Sequence, residues 1–240
     1  MKKKLTVIHG DKGGIGKSTF AFLHADFLLD RHRQIVIVEG DKKISDVADR
    51  FGGVPGVHGI LANLARPDMA EEAIIALFEQ IEGLGDAADY VIVNTPGSVS
   101  DTLDKKADLF VPTARALGYE IHVAWMVGDD AAGIALSQTS ALCAEADRKV
   151  AIINAHKTDP KRGQWSSSAA RSAWVDSGGL EAVLPALTDR AATILREHPQ
   201  GRVSDLAKPE GGQTTVIKQV FHNWVRAAFA GPCAILSGDE

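Results

Sequence analysis

The chain predicts an α/β fold: a mostly parallel, twisted sheet flanked by helices on both faces. Three observations predict it. Short apolar runs rich in β-branched residues, among them Leu5–Ile8, Gln34–Val38 and Tyr90–Val93, read as strands buried on both sides. Segments with helical spacing, such as Phe20–Leu29, alternate with them. A glycine-rich stretch, His9–Thr19, joins the first strand to the first helix. At 240 residues, 45% hydrophobic and 24% charged, the chain suits one large domain with a sizeable core. The expected division is residues 1–232 as that domain and 233–240 as a C-terminal tail.

The glycine-rich stretch carries the chemistry. In Lys12-Gly13-Gly14-Ile15-Gly16-Lys17-Ser18-Thr19, glycines let backbone N–H groups turn inward around a polyphosphate. The helix that follows aims its positive end at the same anion. Lys17 can reach the β and γ phosphates as a compact cation. The Ser18 hydroxyl suits Mg²⁺, a hard ion that takes oxygen ligands, and Thr19 meets the α-phosphate. Asp11 stands where the loop's first glycine is usual, and a carboxylate there has to turn away from phosphate or pair with a cation.

The second strand, Gln34–Val38, ends in Glu39-Gly40-Asp41, and carboxylates at that end of a parallel strand lie where open α/β sheets bind ligands. Helices are expected over Ile44–Phe51, Gly59–Ala65 and Met69–Ile81, the last with Asp68 as a cap. The strand Tyr90–Val93 has Asn94 at its tip, followed by Thr95-Pro96-Gly97. Asp108–Thr113 reads as a fourth strand, Ile121–Val127 and Lys149–Ile153 as further ones, and Ala131–Ala146 as a helix. Lys157, Lys161, Arg162 and Arg171 accompany Trp165 and Trp174, either a solvated helix with buried indoles or a base-stacking surface for nucleic acid. Leu180–Leu184 is a last strand before Pro185, and Thr188–Glu197 a helix stopped by His198-Pro199. Val216, Ile217, Val220, Phe221, Trp224, Val225 and Phe229 form an apolar helical stripe.

Bulk properties exclude several classes. A net charge of −5 leaves only local contacts for nucleic acid. Cys143 and Cys233 have no metal-ligand spacing and suggest a reducing compartment. The apolar run behind Lys2–Lys4 is too short for a secretory signal, and no run of about 20 apolar residues is present to span a bilayer, so the cytoplasm is expected. The histidines form no metal or catalytic pattern.

The loop resembles the deviant phosphate loop of the ParA/MinD superfamily of ATPases, a branch of the P-loop NTPases, and most of the chain follows that pattern. The resemblance implies ATP/ADP and Mg²⁺ as ligands, with ATP favoured over GTP because Asn154 does not open an Asn-Lys-x-Asp motif. It implies that Lys12 reaches the partner's nucleotide in a sandwich homodimer, and that Asp41 orients the attacking water. Glu39 takes the place of the family's first switch carboxylate. Asn94 replaces the aspartate that holds a water in the Mg²⁺ shell; an amide bonds that water without adding charge. Gly97 would offer its N–H to the γ-phosphate, Asn154 would meet the adenine edge, and Pro185 would lie near the base. The Pro112 segment and the strand Ile121–Val127 look like those of plasmid conjugation and mobilisation ATPases of the TraL, StbB or MobD type.

The resemblance therefore implies a slow ATPase switch in plasmid partition, mobilisation or conjugal transfer, with a transfer or partition protein and non-specific DNA as candidate partners. Two other readings stay open. One is a nucleotide-binding scaffold that does not turn over, for which Asp11 and Asn94 are the grounds. The other is a small-molecule kinase or ligase of dethiobiotin-synthetase type, against which Lys12 argues. The C-terminal stripe is expected to dock on the sheet, with a membrane surface as the alternative.

Overall fold

Strand pairing places the glycine-rich loop after the first strand at the middle of the molecule. In the computed structural model, which describes residues 3–10, 13–31, 34–41, 45–97 and 100–238, seven strands form one all-parallel sheet. They are β1 (Lys3–His9), β2 (Ile35–Glu39), β3 (Val57–Leu61), β4 (Tyr90–Asn94), β5 (Tyr119–Val127), β6 (Arg148–Asn154) and β7 (Leu180–Leu184). Their order is β3-β2-β4-β1-β5-β6-β7, so chain progression reverses around β1 and opens a crevice at its carboxyl end.

The helices are α1 (Lys17–Arg31), α2 (Asp46–Arg50), α3 (Ala70–Leu84), α4 (Ser100–Lys105), α5 (Ala107–Ala116) and α6 (Ala131–Leu136). The later ones are α7 (Ala141–Glu145), α8 (Ala169–Asp176), α9 (Asp189–Glu197), α10 (Thr215–Ala228) and α11 (Ala234–Ser237). Strand side chains alternate between two cores. Leu5, Val7, Val36, Val38, Val91 and Val93 pack under α3 to α8, while Ile35, Ile37, Tyr90 and Ile92 pack under α1, α2 and α9 to α11. Both faces are covered, which is why these strands read as continuous apolar runs.

Four expectations are corrected. Asp108–Thr113 is helix, not strand: Ala107, Phe110, Val111 and Ala114 are buried at helical spacing, and Phe110 packs on Phe78 at 5.2 Å. A run as short as Leu109-Phe110-Val111 has no period of its own, and Pro112 sits inside the helix. Gly59–Ala65 is not helix. Its first part is the edge strand β3, paired from Ile35↔Val57 to Glu39↔Leu61, where Ile60 alone is buried and so leaves little pattern. Ala131–Ala146 is two helices, because Ser140 Oγ accepts from Cys143 N (3.2 Å) and starts a new one. Asp68 does not cap α3; it is paired with Arg66 instead.

The indoles of Trp165 and Trp174 are buried against each other, and their N–H groups donate to Glu181 Oε1 (2.6 Å) and Leu180 O (2.8 Å). They offer no face for base stacking. The C-terminal stripe docks on the body: Ile217, Phe221, Trp224 and Val225 are buried, and Val216 remains 73% exposed. Residues 233–238 are packed rather than free. Cys233 and Leu236 are buried, and Ser237 O and Ile235 O accept from Lys4 Nζ (2.7 Å) and Arg148 Nη1 (3.1 Å). Among the described residues, no helix is long and apolar enough to cross a membrane.

Candidate nucleotide site

The loop between β1 and α1 is shaped by backbone needs that glycine alone meets. Gly16 has φ +107°, and a Cβ there would lie 2.4 Å from Asn154 Nδ2. That approach is used: Asn154 Nδ2 donates to Ile15 O (2.8 Å), and its Oδ1 accepts from His156 N (3.0 Å). The tip of β6 thus holds the loop in place. The second amide hydrogen of Asn154 is left over for a ligand.

Lys17 opens α1 and is only 6% exposed; its Nζ donates to Gly10 O at 2.9 Å. The ammonium is stretched back over the loop, at the place where an anion held by the loop N–H groups would meet it. Thr95 locks β4 to β1 through its N (3.2 Å) and Oγ1 (2.8 Å), both donating to Ile8 O.

A cleft of about 340 Å³ opens above these ends, lined by Gly13, Gly14, Gly16, Lys17, Ser18, Thr19, Glu39, Asp41, Asp46, Asn94, Thr95, Pro96 and Gly97. It continues into a cavity of about 570 Å³ on the other side of Ser18 and Thr19. That cavity is more apolar, with Phe22, Leu184, Pro185, Leu187, Leu195 and Trp224 on its walls beside Asn154 and His156. Trp224 Nε1 donates to Pro185 O (2.7 Å), so the docked C-terminal helix shapes this wall. At its far end Arg50 lies over the Phe22 ring, and its Nη1 donates to His198 O at 2.9 Å, tying α2 to the end of α9.

The structure therefore gathers Gly13, Gly14, Gly16, Lys17, Ser18, Thr19, Asp41, Asn94 and Gly97 around one cleft, with Asn154 and Pro185 in the adjoining cavity. Ile15 is buried under the loop. Asp11 and Lys12 lie outside the described residues.

Glu39, expected at the first switch position, and Asp46, for which the sequence offers no expectation, also line the cleft. Glu39 is 1% exposed, and burial raises its carboxyl to about 7 against the hydrogen bonds it accepts. Those bonds come from Asn94 Nδ2 to Oε1 (2.8 Å) and from Val47 N to Oε2 (3.0 Å). Its place at the end of an apolar strand was the available signal; its pairing with Asn94 depends on the register Glu39↔Asn94.

A hard cation fits the donor set. Ser18 and Asp41 supply oxygens, and Asn94 Oδ1 is buried in the cleft wall without a hydrogen-bond partner, an acceptor suited to a metal-bound water. Among the described residues no group of three or more His, Cys, Asp or Glu gathers, so the protein alone builds no complete metal cage. This suits Mg²⁺, which takes few protein ligands and shares phosphate oxygens.

No protein-family model matches the chain. It is 22% identical over 235 residues to protein MobD of Acidithiobacillus ferrooxidans, an alignment covering 92% of this chain and 100% of that protein. Among solved structures, the Pyrococcus furiosus cell division ATPase MinD superposes with TM-score 0.53 at 16% identity, covering 92% of this chain and 97% of that one. Apo McdA from Cyanthece gives 0.52 at 14%, covering 94% and 98%. The septum site-determining protein MinD of Pyrococcus horikoshii OT3, complexed with Mg-ADP, gives 0.51 at 15%, covering 92% and 95%. These likenesses establish the fold: an all-parallel seven-stranded sheet flanked by helices, as in the MinD and McdA structures.

Proposed function

We propose that the chain is a slow Mg²⁺-dependent ATPase switch of the ParA/MinD type that acts in plasmid partition, mobilisation or conjugal transfer. The observation that carries the nucleotide part is buried Lys17, folded back onto Gly10 O in the wall of a cleft that also holds Ser18, Asp41 and Asn94. What supports the plasmid part is the end-to-end similarity to MobD.

In this reading the loop N–H groups and the start of α1 hold the polyphosphate, and Thr19 meets the α-phosphate. Lys17 leaves Gly10 O to neutralise the β and γ phosphates. The base enters the apolar cavity between Asn154 and Pro185. Asp41 accepts a hydrogen bond from the attacking water and turns its lone pair toward phosphorus, while Gly97 reads the γ-phosphate through its N–H. Mg²⁺, when bound, spreads the phosphate charge, with Ser18 and Asn94 on its protein side. The chain contributes positioning and electrostatics, which is most of phosphoryl-transfer catalysis. Lys12 completes the partner's site in a homodimer, and dimerisation controls binding to a transfer or partition protein or to DNA in the cytoplasm.

Turnover of ATP by the purified protein tests this reading, alongside Lys17→Ala and Asp41→Ala. Slow phosphate release, lost in both variants, is the expected outcome. Binding and dimerisation with no phosphate release would favour a scaffold, a reading that the uncharged Asn94 supports. Absence of nucleotide binding would overturn the proposal.

A further inference from the structure

We propose that Glu39 is the positioning carboxylate for the metal side of the cleft and that it acts through Asn94. The inference rests on the nucleotide reading above and deepens it. Glu39 and Asn94 are cross-strand partners at the tips of β2 and β4, and both line the phosphate cleft. Asn94 donates its Nδ2 hydrogen to Glu39 Oε1 at 2.8 Å. A carboxamide is planar, so that bond decides which way the other end of the group faces. The other end is Oδ1, buried and without a partner.

An amide clamped by a carboxylate is also a stronger acceptor than a free one, because hydrogen bonds in a chain polarise each other. The pair thus presents one oriented oxygen to the cleft, and the carboxyl group that orients it stays one residue behind. Glu39 has a second task. Its Oε2 accepts from Val47 N (3.0 Å) in the first turn of α2, where Ser45 makes no capping bond. One buried carboxylate therefore braces the tip that carries Asn94 and the helix that follows Asp41. Ligands behind a metal shell that orient its inner groups commonly matter nearly as much as the inner groups.

The two tips admit a charge swap. In Glu39→Gln the new amide can keep the bond from Val47 N through its oxygen, but its NH₂ then faces Asn94. Asn94 turns over to accept that hydrogen, and its own NH₂ faces the cleft, where it repels a cation. In Glu39→Gln/Asn94→Asp the carboxylate moves to the β4 tip and the amide behind it donates, so an anionic oxygen again faces the cleft.

The test is Mn²⁺ binding, followed by electron paramagnetic resonance in the presence of ADP, with ADP affinity in EDTA measured for each protein. If the wild-type protein does not bind ADP at all, the nucleotide reading fails, and this inference falls with it. Given ADP binding, Glu39→Gln is expected to weaken Mn²⁺ about 10–100-fold while its metal-free ADP affinity stays at the wild-type level. The double variant is expected to regain the Mn²⁺ affinity. An unchanged Mn²⁺ affinity in Glu39→Gln, an equal loss of metal-free ADP binding, or a double variant no better than the single one would each overturn the proposal. Should Glu39→Gln not fold, Glu39→Asp, one methylene too short to keep both the Asn94 and the Val47 bonds, takes its place. Weaker Mn²⁺ with intact metal-free ADP binding supports the inference, and unchanged Mn²⁺ binding sinks it.

Discussion

His122 sits on β5 with almost no exposure, next to Lys4 and Arg148, and lies far from any catalytic role. Burial first, and then the two cations, lower its pKa from the ordinary 6.5 to about 4. The unfolded chain therefore takes up a proton at a pH where the native chain does not. The stability this provides is complete above about pH 6.5 and is lost as pH falls toward 4, by about 3 kcal/mol over the full range. Glu39 works with the opposite sign. Its carboxyl is raised to about 7, so its contribution is present below pH 4.5 and is lost as pH rises through 7. Chemical denaturation of wild type and His122→Gln at pH 7, 5.5 and 4 separates the two. The variant is expected to lose less stability than wild type on acidification; parallel curves would refute the assignment.

At the scale of elements, α10 is an amphipathic helix whose apolar side found the body of the protein. Trp224 is the joint. It is buried, it packs in the α1-side core, and its indole N–H holds Pro185 O in the wall of the apolar cavity. Replacing it separates packing from hydrogen bonding. Trp224→Phe keeps most of the apolar volume and is expected to cost about 1 kcal/mol, the worth of a typical hydrogen bond. Trp224→Ala opens a hole and is expected to cost about 3–5 kcal/mol. Urea midpoints at a constant slope measure both; equal losses would mean that the hydrogen bond, not the packing, secures the helix. The same packing logic governs α5, where the burial of Phe110 and Val111 overrides a run that is equally compatible with a strand.

For the whole molecule, the reversal of strand order at β1 sets the loop, the tips of β2 and β4 and the cavity by β6 and β7 around one crevice. The proposed switch takes a second copy to complete it, and the proposed role of Lys12 makes that measurable. In sedimentation with Mg²⁺ and a non-hydrolysable ATP analogue, wild type is expected to dimerise and Lys12→Ala to stay monomeric. Thermal stabilisation by Mg·ADP serves as the control. At 100-fold excess over Kd a ligand adds about 2.7 kcal/mol, and this gain should survive in the variant. A variant that still dimerises would remove Lys12 from the interface.

The local chemistry of the fold was legible along the chain. A β-branched run, a glycine loop and Gly-Lys-Ser-Thr ahead of a helix carry their geometry in a dozen neighbouring residues, because backbone sterics and helix capping act over that range. Central strands buried on both faces were equally plain, since residues 5–8, 35–38 and 90–93 are almost wholly apolar. The edge strand β3, the helix α5 and the break before α7 were not plain. Each depends on a neighbour distant in sequence: β2 beside Val57–Leu61, Phe78 against Phe110, Asp104 accepting from Ser140 Oγ at 2.8 Å. The site divides the same way. Lys17 and Ser18 follow from spacing, whereas the pairing of Glu39 with Asn94 exists only because two strands far apart in sequence lie side by side in one register. Parallel pairing is a long-range contact, and no local pattern encodes which tip meets which.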